Sequence, residues 1–219
     1  MPQQLPLPLP FTPSLERADF IVSLGNAEAA AFIDSFPRWP APMGALYGPS
    51  ASGKSHLVAA WSTRAGALVV EAPRLTSRFL DQVTPGRAVA VENVDSGVAD
   101  EAALFTIFQH MGPVLFTGRE PPAQWPAALP DLKSRFAALL AFPLWAPDEA
   151  LLTALTQKLF TDRQLAVPDS VVMRIIRSVE RSPAAIRDFV ARLDARALAE
   201  KRPISAALVG DLLAESGLS

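Results

Sequence analysis

The segment Gly48-Pro49-Ser50-Ala51-Ser52-Gly53-Lys54-Ser55 constrains this chain more than any other. An apolar pentad, Met43 to Tyr47, precedes it and reads as a strand. Ser55 to Arg64 comes after it and reads as a helix. A strand that turns into a helix across such a loop belongs in an α/β layer arrangement. The glycines let the backbone curl so that its amides point at one centre. The N-terminus of the second element adds partial positive charge there. The pattern G-x-x-x-x-G-K-[ST], with a strand before and a helix after, is that of a phosphate-cradling loop. Gly48, Pro49, Ser50, Ala51, Ser52, Gly53, Lys54 and Ser55 are therefore the first candidate binding residues. Lys54 would bridge β- and γ-phosphate oxygens, and Ser55 would ligate Mg²⁺. His56, next along, joins these candidate binding residues as one expected to pack beside the loop, and His110 is expected at a helix end.

The rest of the chain extends this alternation. Asn26 to Phe36 reads as a helix ended by Pro37. Strands are expected at Ala67 to Glu71, Arg87 to Glu92, Pro113 to Thr117 and Leu139 to Leu144. Helices are expected at Arg74 to Leu80, Ala99 to Met111 and Leu129 to Ala137. Short apolar strands separated by helices predict a mainly parallel sheet covered on both faces. The alternation stops at Pro147. Helices are then expected over Pro147 to Asp162, Asp169 to Ser182, Pro183 to Lys201 and Ser205 to Glu215. Within the third, Ile186, Phe189, Val190, Leu193 and Ala197 fall on one helical face. The expected organisation is an extended tail over 1–13, an α/β domain over 14–146 and a small helical domain over 147–219.

Composition removes several function classes. The chain has 219 residues, 50% hydrophobic and 19% charged, which suits a sizeable core rather than disorder. With no cysteine and two histidines, thiolate zinc sites, disulfide scaffolds and multi-histidine metal sites are excluded. A net charge of −2 supplies no whole-protein basic field for gripping nucleic acid. No apolar run reaches membrane-spanning length, and no charged-then-apolar leader opens the chain. The expected location is the cytoplasm. Trp39, Trp61, Trp125 and Trp145 are expected to be core or partly buried anchors.

A phosphate loop needs an acidic strand end nearby. Arg87-Ala88-Val89-Ala90-Val91-Glu92-Asn93-Val94-Asp95 supplies one. Glu92 takes the Mg²⁺ side, and Asn93 stands where a carboxylate base usually comes next. A neutral amide cannot take a proton from an attacking water. Weak or no self-catalysed hydrolysis is expected; Asp95 is a candidate substitute for the base, but two residues on it is expected to point elsewhere. The alternative for Glu92 is a plain strand cap.

Two arginines and the tail complete the pattern. Arg135 sits in Leu129-Pro130-Asp131-Leu132-Lys133-Ser134-Arg135, and Arg187 in Pro183-Ala184-Ala185-Ile186-Arg187. The tail contains Gln4-Leu5-Pro6-Leu7-Pro8-Leu9, whose prolines favour an extended backbone suited to an apolar groove. With these residues in this order, nearly the whole chain resembles the AAA+ family, and within it the DnaA clade. It is similar to the clade's short members, which stop after the helical domain.

The resemblance implies an AAA+ P-loop domain followed by a helical lid. It implies Arg135 as an arginine finger acting in trans and Arg187 as a sensor-2 residue touching the protein's own nucleotide. Phe20 and Ile21 would pack the adenine ring, and Asn26 would begin the first helix. Gln4, Leu5, Leu7 and Leu9 would bind the DNA polymerase III sliding clamp (its β subunit). The implied function is negative regulation of replication initiation by stimulating hydrolysis of DnaA-bound ATP, with ADP or ATP and Mg²⁺ as cofactors. Clamp and DnaA are the implied partners, a homodimer stays open, and no membrane or strong direct DNA binding is expected. The sensor-1 region reads Thr117-Gly118-Arg119-Glu120-Pro121-Pro122, departing from the family's usual Asp before Arg-Pro-Pro. Two other readings stay open: a helicase-loader-like AAA+ protein, and an autonomous P-loop ATPase or kinase.

Overall fold

The computed structural model describes residues 15–110 and 112–215. The tail over 1–13, with Gln4, Leu5, Leu7 and Leu9, lies outside the described residues. Two compact units divide at Pro147: an α/β unit, Leu15–Ala146, and a helical one.

In the α/β unit, helix α1 (Ala27–Asp34) leads to strand β1 (Met43–Tyr47) and helix α2 (Lys54–Ala65). Strand β2 (Leu68–Glu71), the one-turn helix α3 (Ser77–Leu80) and strand β3 (Val89–Glu92) come next. Helix α4 (Glu101–Gln109), strand β4 (Val114–Gly118), helix α5 (Pro130–Ala137) and strand β5 (Leu140–Pro143) complete it. The five strands pair in the order β2-β3-β4-β1-β5, all parallel. After β1 the chain crosses to the far edge and works back. The crevice beyond the carboxyl ends of β1, β4 and β3 is where such a sheet places a ligand.

Side-chain alternation explains why both faces are covered. Ala45, Val89, Val91, Val114 and Phe116 enter one core with Leu104 and Ile107 of α4 and Leu132 and Phe136 of α5. Their neighbours Leu46, Ala90 and Leu115 enter the other, with Phe32 and Ile33 of α1 and Leu57, Val58 and Trp61 of α2. Each fully buried Leu or Phe contributes about 1.5–3 kcal/mol over its exposed state. Helix starts are set locally: Asp100 caps α4 by accepting from the Ala103 amide at 3.0 Å.

In the helical unit, α6 (Glu149–Asp162), α7 (Asp169–Ser178), α8 (Pro183–Glu200) and α9 (Ala206–Glu215) each bury one apolar stripe. The helix expected to run to Ser182 ends four residues earlier, at Ser178. Ser182 is taken by the next helix: its side chain caps α8 through the Ala185 amide at 3.1 Å, with Pro183 in the first turn. Of the tryptophans, Trp61 and Trp125 are core residues and Trp39 is half-buried, but Trp145 is 62% exposed, against the expectation of an anchor.

Candidate functional site

The loop after β1 curls as the motif requires. Gly48 has φ 149° and Gly53 φ 106°, conformations that side chains rarely adopt. A Cβ on Gly48 would run into the Leu144 carbonyl, and one on Gly53 would lie 2.9 Å from the Phe20 ring. Ala51 is also left-handed, with φ 60°. Lys54, the first residue of α2, is buried, and its ammonium donates to the carbonyls of Gly48 at 2.6 Å and Pro49 at 2.8 Å. Burial lowers the pKa of Lys54. The Asp95 carboxylate opposes this, Arg119 reinforces it and Glu92 opposes it, in that order. Asp95 therefore bears on the loop lysine through its charge. Its Oδ1 is buried with no hydrogen-bond partner among the described residues. Arg119 stands exposed just beyond β4.

Ser55 and Glu92 are brought together from 37 residues apart: the Ser55 hydroxyl donates to Glu92 Oε1 at 3.0 Å. Burial raises the Glu92 pKa; the Ser55 hydrogen bond opposes the rise and the Glu71 charge adds to it. A hydroxyl and a carboxylate side by side fit Mg²⁺, a hard cation that takes few protein oxygens and fills its octahedron with water and phosphate. No cluster of three His, Asp or Glu suited to a metal occurs among the described residues, so these two would hold the ion only together with phosphate and water. Held there, Mg²⁺ would supply positive charge to offset that of bound phosphate.

Asn93 is turned out of the strand, with φ 57° and ψ 45°, in the left-handed region that asparagine tolerates better than most side chains. Its backbone amide donates to Thr117 Oγ1 at 3.1 Å. Its side-chain amide donates to Glu71 Oε2 at 2.6 Å. Glu71 ends β2 in register with Glu92. The position after the acidic strand end is thus a neutral donor tied to a neighbouring carboxylate. Sequence reasoning missed Glu71, although two strands both ending in Glu were the available signal.

Phe20 is buried against Gly53, and Ile21 is half-buried. Asn26 is buried and locks this stretch: it accepts from the Ser23 amide at 2.8 Å and donates to the Ile21 carbonyl at 3.1 Å. His56 is engaged behind the loop, its Nε2 2.8 Å from the Glu16 carbonyl and its ring edge-on to Phe20. His110 caps the end of α4, with Nε2 2.6 Å from the Arg87 carbonyl.

Arg135 lies in the last turn of α5, half-buried, between the core residues Leu132 and Phe136. Its guanidinium carbon sits 4.8 Å from the Phe105 ring centroid and 5.9 Å from that of Phe108. It has no hydrogen-bond or ion-pair partner among the described residues, whereas Arg17 is salt-bridged to Asp34. Arg187 lies near the start of α8, half-buried within the helical unit.

No protein-family model matches the sequence. Solved structures do resemble the fold. Domain III of the replication initiation protein DnaA from Thermotoga maritima aligns with TM-score 0.75 at 16% identity, over 94% of this chain and 98% of that one. AMPPCP-bound DnaA from Aquifex aeolicus aligns with TM-score 0.69 at 14% identity, over 84% of this chain and 66% of that one. A RuvB variant from Thermotoga maritima aligns with TM-score 0.72 at 13% identity, over 91% and 72%. This chain thus spans nearly all of the isolated DnaA domain but just under two thirds of the Aquifex DnaA chain. At these identities the likeness shows the fold alone: a parallel α/β architecture followed by helices, shared with DnaA domain III and RuvB.

Proposed function

We propose that this protein is a nucleotide-dependent regulator of the Hda type. It binds ADP or ATP with Mg²⁺ in its loop and docks through its tail on the DNA sliding clamp. There it stimulates hydrolysis of ATP held by DnaA, using Arg135. The phosphate-and-metal half of its own site is built from Lys54, Ser55 and Glu92. Gly48 to Ser55 cradle the phosphates, and Phe20 and Ile21 border the base. The similar DnaA structure holds AMPPCP, which supports an adenine nucleotide as the ligand.

One observation carries this reading: Arg135 is a half-buried cation with no anionic partner among the described residues. Withdrawing a guanidinium from water with no anion beside it is unfavourable unless an anion is supplied elsewhere. A phosphoryl group undergoing transfer is such an anion, and an arginine supplied in trans accelerates that reaction by about 10³–10⁵ in known systems. The neutral Asn93 supports assistance over self-sufficient turnover. The test is hydrolysis of DnaA-bound ATP with clamp loaded on DNA. Arg135→Ala is expected to abolish stimulation while nucleotide affinity is kept. Undiminished stimulation by the variant refutes the reading.

A further inference from the structure

Arg135 is held from below by one face of α4. Glu101, Phe105 and Phe108 recur there at i, i+4 and i+7, the spacing that aligns side chains along a helix. The Glu101 carboxylate accepts from the Ala128 amide at 2.6 Å and the Leu129 amide at 2.8 Å. Leu129 is the residue from which α5 starts. One end of the α4 face thus grips the entry to the arginine helix. The middle and far end carry the rings beneath the guanidinium. Phe108 in turn stacks on Phe116 of the central strand β4, with centroids 4.9 Å apart, and meets Phe136 edge-on at 5.8 Å. The support is therefore continuous with the fully buried sheet core.

A guanidinium stacks through its planar face, whereas its five N–H donors lie in the plane and point outward. Arg135 on Phe105 can therefore keep its ring contact and still offer a donor edge to an anion. An arginine otherwise free to sample many rotamers loses that entropy when it engages a phosphate. One already lying over a ring, as Arg135 lies over Phe105, has lost part of it beforehand.

We infer that the Glu101-Phe105-Phe108 face of α4 is a mount that presents the donor edge of Arg135 to a phosphoryl group on a partner protein, with Phe105 as its principal positioning residue. The inference rests on the proposed Hda-type function and adds the device that orients the finger.

The test compares Phe105→Leu, which keeps apolar volume but removes the ring quadrupole, with Phe105→Tyr, which restores it. Maximal stimulation of DnaA-bound ATP hydrolysis and the concentration giving half of it are measured separately. Loss of a cation–π contact of ordinary strength predicts a fall of about three- to tenfold in the maximum for Phe105→Leu. Phe105→Tyr should stay within about twofold of the parent, and half-saturation should not move in either. NMR of the isolated protein supplies a readout independent of any partner. The Arg135 Nε–H and side-chain methylene resonances should carry a ring-current shift that vanishes in Phe105→Leu. A parental maximum in Phe105→Leu, an equal loss in Phe105→Tyr, or an absent ring-current shift overturns the mount while leaving Arg135 its role. Stimulation surviving Arg135→Ala, or none from the unaltered protein, overturns the proposed function and the mount with it.

Discussion

Replacing Asn93 separates two contributions at the point where β3 leaves the sheet. Its side-chain amide donates to the Glu71 carboxylate at 2.6 Å, and its backbone sits at φ 57°. A hydrogen bond to a charged group contributes about 1.5–3 kcal/mol, and the lower end applies because the pair is only half-buried. Holding an ordinary side chain in the left-handed region costs about 1–2 kcal/mol. Asn93→Gly loses the bond but adopts the backbone conformation freely, so it should be destabilised by about 1–1.5 kcal/mol. Asn93→Ala loses the bond and adds the strain, for about 2–3 kcal/mol. At about 2–4 °C per kcal/mol for a chain of this size, melting should fall by a few degrees for Gly and roughly twice that for Ala. Urea and thermal unfolding, each monitored by circular dichroism without added nucleotide, measure the difference. Equal stabilities for Ala and Gly would show that the left-handed backbone carries no strain. A Gly variant as stable as the parent would show that the Asn93–Glu71 bond contributes nothing.

Glu92 carries a pH signature. Its folded-state pKa is raised, first by burial and further by Glu71, so the ionised carboxylate is disfavoured in the fold. Its contribution to stability is fully present below the ordinary carboxylate pKa and is lost as pH rises through the raised folded value. Glu92→Gln should therefore stabilise the metal-free protein at neutral pH in thermal unfolding, and a destabilised variant would contradict this. The same carboxylate must be ionised to hold Mg²⁺, so the Mg²⁺-dependent part of nucleotide affinity should weaken on acidification before an ordinary carboxylate titrates. That dependence should be flat in Glu92→Gln, as read by fluorescent-nucleotide titration. Gly53→Ala places a Cβ 2.9 Å from the Phe20 ring at φ 106°. It should cost about 1–3 kcal/mol through overpacking and backbone strain and weaken nucleotide binding by roughly tenfold or more. Parental affinity in calorimetry would contradict the close approach of Gly53 to Phe20.

The most legible features were local ones. The cradle from Gly48 to Ser55 is contiguous, and its glycines, lysine and serine act through backbone shape and charge set within one short loop. Strand positions were legible because apolar runs such as those ending at Glu71 and Glu92 match a sheet buried on both faces. Helix ends were less so: Ser182 reads equally well as the last residue of one helix or the cap of the next. Only capping geometry assigns it to α8.

The order of residues along the chain determined the kind of layer structure, the curled glycine-lysine-serine loop and the neutral Asn93 after Glu92, since each depends on neighbours a few positions apart. The strand order β2-β3-β4-β1-β5, the meeting of Ser55 with Glu92, the tether from Asn93 to Glu71 and the placing of the Arg135 guanidinium over the Phe105 ring were decided by tertiary structure. The side-chain contacts among them join residues 22 to 37 positions apart, and they form only once a twisted parallel sheet sets the ends of distant strands and helices side by side.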